Sequence, residues 1–129
     1  MNKKIALFYT VIGLILFIIS CVNYRFDHIR DFESKKDEDS LIRILKIDKD
    51  NYIRSQAAQS LGRLRSKKAV STLIIYLNDK SWTVRYYCAD SLGLIKNKKA
   101  VKPLKSRLKI EDDENVIESI KLALISLAS

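Results

Sequence analysis

Residues 48–77 laid over residues 79–108 agree at a constant offset of 31, and no other feature of the chain constrains its fold so tightly. Arg54 falls on Arg85, Ala58 on Ala89, Ser60-Leu61-Gly62 on Ser91-Leu92-Gly93, and Lys68-Ala69-Val70 on Lys99-Ala100-Val101. Leu73 and Leu77 fall on Leu104 and Leu108. A unit of this size cannot bury its own apolar face, so copies must stack, and a fixed period of this length signals a solenoid. Weaker copies flank the two strong ones. Ile29, Phe32, Ser34-Lys35-Lys36, Leu41 and Leu45 lie 32 residues before their counterparts in the first strong unit. Val116, Ile120 and Leu124 lie 32 residues after Val84, Cys88 and Leu92.

Within the units, Ile53, Ala57, Leu61 and Leu64, and again Val84, Cys88, Leu92 and Ile95, recur at i, i+4, i+8 and i+11, which lines one face of a helix. Second helices carry Ala69, Val70, Leu73 and Leu77, then Ala100, Val101, Leu104 and Leu108. Three glycines and one proline in 129 residues suit helices joined by short turns better than a sheet. Asp50, Ser81 and Asp113 stand where a short acceptor side chain caps the first helix of a unit, and Pro103 requires its helix to begin within the preceding turn. The expected fold is all-α, a short α-solenoid of antiparallel helix pairs. Its parts are a degenerate first repeat at 21–47, repeats at 48–78 and 79–110, and a terminal half repeat at 111–129.

Residues 1–20 read as a signal peptide or membrane anchor. Lys3 and Lys4 precede an uncharged stretch, 5–19, rich in Ile, Leu, Phe and Val. It closes on Ile18-Ile19-Ser20-Cys21, which resembles a bacterial lipobox; that resemblance implies a diacylglycerol thioether on Cys21 and cleavage before it. The rival is an uncleaved anchor, because residues 5–22 as a helix span about 27 Å, close to the roughly 30 Å of a bilayer's hydrocarbon core. The repeats begin almost directly after Cys21, which favours the rival. Basic residues on the two sides of the segment nearly balance, so charge alone does not orient it.

The string Val84-Arg85 to Gly93, followed by Ile95 and Lys99-Ala100-Val101 with Pro103-Leu104, resembles the HEAT-like repeat named after phycobilisome lyases, over roughly residues 29–127. That resemblance implies pairs of antiparallel helices in a superhelix, with Gly62 and Gly93 allowing close helix approach. It further implies a structural ladder in which Arg54 and Arg85 are partnered by Asp48 and Asp79 across neighbouring units. Ile117 and Ile125 depart from the pattern, standing where Arg and Gly are expected.

Chemistry has few candidates. The chain has no Gly-rich phosphate loop, Cys-x-x-Cys pair or nucleophile elbow. Its one histidine, His28, excludes the His-Glu iron site of the related deoxyhypusine hydroxylases. The run 111–114 lacks the alternating spacing and turn glycine of a calcium loop and reads as an inter-repeat turn. No catalytic, cofactor or metal residues are assigned. Cys88, aligned with Ala57, reads as a small core residue rather than a disulfide partner for Cys21.

Surface features remain as candidate partner contacts. Trp82, Tyr86 and Tyr87 replace Asn51, Ser55 and Gln56 of the preceding unit, so the repeat does not demand them, and such aromatics often anchor interfaces. Lys102, Lys105 and Lys109 form a stripe on a second helix. The terminal helix carries Ile117, Ile120, Leu124 and Leu127 on one side, while Leu122 and Ile125 extend its apolar surface, which marks an interface or self-association. The formal charge of +9 favours anionic partners. The resulting expectation is a non-catalytic, membrane-tethered protein–protein interaction scaffold on the extracytoplasmic face of a bacterial envelope. The alternative is a binder of lipid head groups or nucleic acid through a basic face, which export disfavours for nucleic acid; a bilin-lyase-like protein is the remote third reading.

Overall fold

The apolar period breaks at the same point in every unit, and the break is a left-handed turn. Lys36, Arg65 and Lys96 end the first helices at φ of 55°, 51° and 57°. The residue after each begins the next helix: Asp37 accepts from the Ser40 amide, Ser66 from the Ala69 amide, and Asn97 from the Lys99 amide. Repeating one turn in this way makes the pairs antiparallel and alike.

The structure, a computed structural model, describes residues 2–129, and among these it contains seven α-helices and no strand. They are α1 (Lys3–Ser34), α2 (Glu38–Ile47), α3 (Asn51–Arg63), α4 (Val70–Tyr76), α5 (Trp82–Ile95), α6 (Val101–Leu108) and α7 (Glu114–Ala128), with single 3₁₀ turns leading into α4 and α6. The first helices α3, α5 and α7 stack in one layer, joined by the C-terminal part of α1, and the second helices α2, α4 and α6 pack on the first helix of the following unit. Leu41, Leu45, Leu61, Leu73, Leu92, Leu104, Ile120 and Leu127 form the buried seam between the layers. The architecture is the short α-solenoid that the repeat dictates.

The spacing of the first helices depends on glycine. A Cβ on Gly62 would lie 2.8 Å from the Ser91 Cα, and one on Gly93 would lie 2.9 Å from the Ala123 Cα. Neither backbone can give way without opening the stack. With α3 and α5 this close, the Ser91 hydroxyl donates to the Ala58 carbonyl at 2.8 Å; Ser119 and Ser126 repeat the bond to Tyr86 and Gly93.

Two local expectations need correction. Ser81 does not cap α5: its hydroxyl is engaged with Thr83 and Asn51, and the turn is held instead by the Asp79 carboxylate accepting from the Ser81 amide at 2.8 Å. Asp50 and Asp113 do cap their helices. On α7 the buried face is Val116, Ser119, Ile120, Ala123 and Leu127; Leu124 and Ile117 are only half-buried, because Ala123 is the residue that fits against Gly93.

The border drawn between residues 20 and 21 falls inside α1. At about 1.5 Å per residue this helix is about 48 Å long, and it continues without a break from the apolar segment into the first repeat. Its most apolar 18-residue window has a mean hydropathy of 2.7 and no part of it is buried, so the helix is long and apolar enough to cross a membrane. Its last turns are of the opposite kind. Ile29 is buried, Phe26 stacks on Tyr52 at 5.9 Å, and Glu33 accepts from Ser60 at 2.6 Å and from Arg63 at 2.8 Å.

Candidate functional site

A guanidinium on the first turn of α3, and another on the first turn of α5, reaches across to an acid at the start of the next unit. Arg54 donates to Asp79 through Nε at 3.2 Å and Nη2 at 2.9 Å, and its Nη1 donates to the carbonyls of Asp48 and Lys49. Arg85 repeats this with Glu111, at 2.9 and 2.8 Å, while its Nη1 donates to the carbonyls of Asp79 and Lys80. Arg25 on α1 provides the earlier step, to Asp48. The ladder is thus Arg25–Asp48, Arg54–Asp79, Arg85–Glu111. Asp48 pairs with Arg25, not with Arg54, and Asp79 offers Arg85 only its backbone carbonyl.

The last rung is the most perturbed. Burial pushes the Glu111 carboxyl up, but hydrogen bonds from Arg85 and Arg107 outweigh burial and hold it at about 2. Burial likewise pushes Asp48 and Glu33 up, but the hydrogen bonds from Arg25 and the Asp50 amide to Asp48, and from Arg63 and Ser60 to Glu33, together with the guanidinium charges, hold both below the ordinary value. The ladder fixes units together, and its Arg54–Asp79 rung lies in an open groove of about 580 Å³ whose walls include Lys46, Ile47, Lys49 and Lys80.

The aromatic residues come together. Trp82, Thr83, Tyr86 and Tyr87 of α5 and Asn115 of α7 line an open cleft of about 260 Å³, with the Tyr86 and Tyr87 rings edge to face at 5.1 Å. Lys102 and Lys105 on α6 and Lys109 at its C-cap are exposed, and none of them lines that cleft. Leu122 and Ile125 are also exposed, and among the described residues no helix packs on their side of α7. A larger groove of about 620 Å³ lies between α1 and α3, lined by Phe26, Arg30, Glu33, Gln56 and Gln59 among others. Sequence reasoning missed it because the groove exists only where α1 departs from the stack.

Cys21 is exposed on α1 and Cys88 is buried, both as free thiols. Burial pushes the Cys88 thiol far above its ordinary value, which suits a core residue. Among the described residues no three His, Cys, Asp or Glu side chains cluster as metal ligands. Glu111 and Asp113 of the acidic run are occupied by the ladder and by the α7 cap.

Residues 38–125, more than half of the chain, match the family of HEAT repeats. The chain belongs to that family. Among curated proteins none matches it. HEAT repeats supply extended helical surfaces of the kind used for protein interaction, and the cleft, the lysine row and the open side of α7 are this chain's exposed examples of such surface.

Proposed function

We propose that the chain is a membrane-tethered protein–protein interaction scaffold, with its HEAT repeats on the extracytoplasmic face of a bacterial envelope. The observation that carries this reading is α1, whose exposed apolar part runs directly into the repeat stack. About 18 apolar residues at 1.5 Å each give about 27 Å, enough for a bilayer core. Within the HEAT family, the Val84 to Gly93 string supports the phycobilisome-lyase-type unit. Partners dock on the Tyr86 and Tyr87 side of the aromatic cleft and on the open side of α7, where a further helical layer would continue the stack.

Cys21 is the proposed lipid attachment point, on the strength of Ile18-Ile19-Ser20-Cys21 and an accessible thiol. The unbroken helix through Cys21 favours a second reading, an uncleaved anchor. Membrane fractionation with fatty-acid-analogue labelling tests both. Label present in the wild type and absent from Cys21→Ala supports the lipoprotein, while unlabelled protein of full length held in alkali-washed membranes supports the anchor. Protein released to the soluble fraction overturns tethering.

A further inference from the structure

α1 fixes which edge of the stack faces the membrane. The apolar stretch ends at residue 22, and Arg25 is three residues on, about 4.5 Å along the axis. Arg25 is paired with Asp48, so the turn between the first and second units is held at that height. The head-group layer of a bilayer is about 5–7 Å deep on each side. If α1 inserts, the turn lies within that layer. The ladder then carries the same level sideways, since each rung ties the first turn of one first helix to the start of the next.

The side chains on this edge suit such a position. Lys46, Lys49 and Lys80 are exposed and take part in no ion pair among the described residues. Ile47 is 70% exposed between the first two, and Tyr52 and Trp82 are about half exposed at the first turns of α3 and α5. The acids here are engaged: Asp48 with Arg25, Asp79 with Arg54, and Asp50 with the Tyr52 amide. The third turn, farthest from α1, presents two exposed carboxylates, Asp112, which lies 3.9 Å from Arg85, and Glu114.

We infer that the edge formed by the first two inter-repeat turns lies on the membrane surface, with Lys46, Lys49 and Lys80 on anionic lipid phosphates and Ile47, Tyr52 and Trp82 at the interface. Lysines near an anionic surface are attracted to it and Trp and Tyr concentrate at head-group depth. The inference rests on the tethering reading but holds for either anchor, because a lipidated Cys21 would start at the same level.

Trp82 is the sole tryptophan and reports on this edge directly. The full chain is reconstituted into vesicles of phosphatidylcholine, alone or mixed with phosphatidylglycerol. In the mixed vesicles Trp82 emission should shift to the blue and become less accessible to the uncharged quencher acrylamide than in the neutral ones. Lys46→Gln, Lys49→Gln and Lys80→Gln should each weaken the edge's hold about fivefold, while every variant still floats with the vesicles. Wild-type protein that floats but leaves Trp82 equally open to acrylamide in both compositions overturns the inference, frees the edge for a protein, and leaves tethering intact. Protein that does not float overturns both.

Discussion

Glu111 is the residue on which the joint between the last two units turns, and its removal should be measurable in two independent ways. The side chain is fully buried and receives both nitrogens of the Arg85 fork at 2.8–2.9 Å and Arg107 at 2.8 Å. Its folded-state value of about 2 lies below its ordinary 4.5. A gap of about 2.5 units corresponds to about 3 kcal/mol, a large part of the 5–15 kcal/mol typical of a domain. The folded value is depressed, so this contribution is complete above about pH 5 and is lost as pH falls toward about 2. Glu111→Gln keeps the shape and removes the charge. In urea melts of the full chain in nonionic micelles, followed by circular dichroism, the variant should be about 3 kcal/mol less stable than wild type near neutral pH. The two curves should then converge between about pH 5 and pH 2, although other carboxylates tilt both. Equal stability at neutral pH, or two parallel curves across that window, would refute the idea that the Arg85–Glu111–Arg107 cluster holds the joint.

Gly62→Ala gains about 1 kcal/mol of helix propensity but sets a methyl 2.8 Å from the Ser91 Cα. A net loss of about 1–2 kcal/mol is expected in the same melts. Leu61→Asp and Leu92→Asp put a charge at fully buried positions, costing several kcal/mol; an Asp variant as helical and heat-stable as wild type would contradict the assigned register. Leu122→Lys with Ile125→Lys changes two exposed positions and should alter stability by no more than about 0.5 kcal/mol. The same pair should abolish partner recovery or self-association in sedimentation of the micellar protein, and unchanged association would remove α7 from the interface.

The repeat was readable because its packing rules are local. Gly62 and Gly93 stand one unit apart, and each meets the next first helix in the same way, so one offset revealed both. Arg54 and Arg85 follow from the same offset, and Asp79 is indeed the acid that Arg54 meets across the unit border; the acid of Arg85 is Glu111, and Asp48 serves Arg25. The third acid, Glu111, sits 32 residues after Asp79, the same offset that relates Val84 to Val116, so spacing points to it, but it is longer by a methylene and residue type does not announce it. Arg25 was hidden for a different reason. It belongs to a helix whose first half obeys hydrophobicity alone, and a border placed at residue 20 cut the pattern just before the rung. The cap role of Ser81 failed because a hydroxyl has other nearby partners, here Thr83 and Asn51, that residue type does not reveal. The aromatic cleft was half legible: the three rings are on one short stretch of sequence, but the Asn115 wall comes from a helix two elements away.

The unbroken α1 also makes the chain a crankshaft. A helix advances about 100° and 1.5 Å with each residue, and no hinge separates the apolar half from the rungs at Arg25 and Glu33. One alanine inserted after Asn23 would therefore turn the whole stack by about 100° about the axis of α1, whereas four would bring it nearly back to its original bearing, about 6 Å farther out. Whatever grips the apolar half sets the compass direction in which the aromatic cleft and the lysine row point.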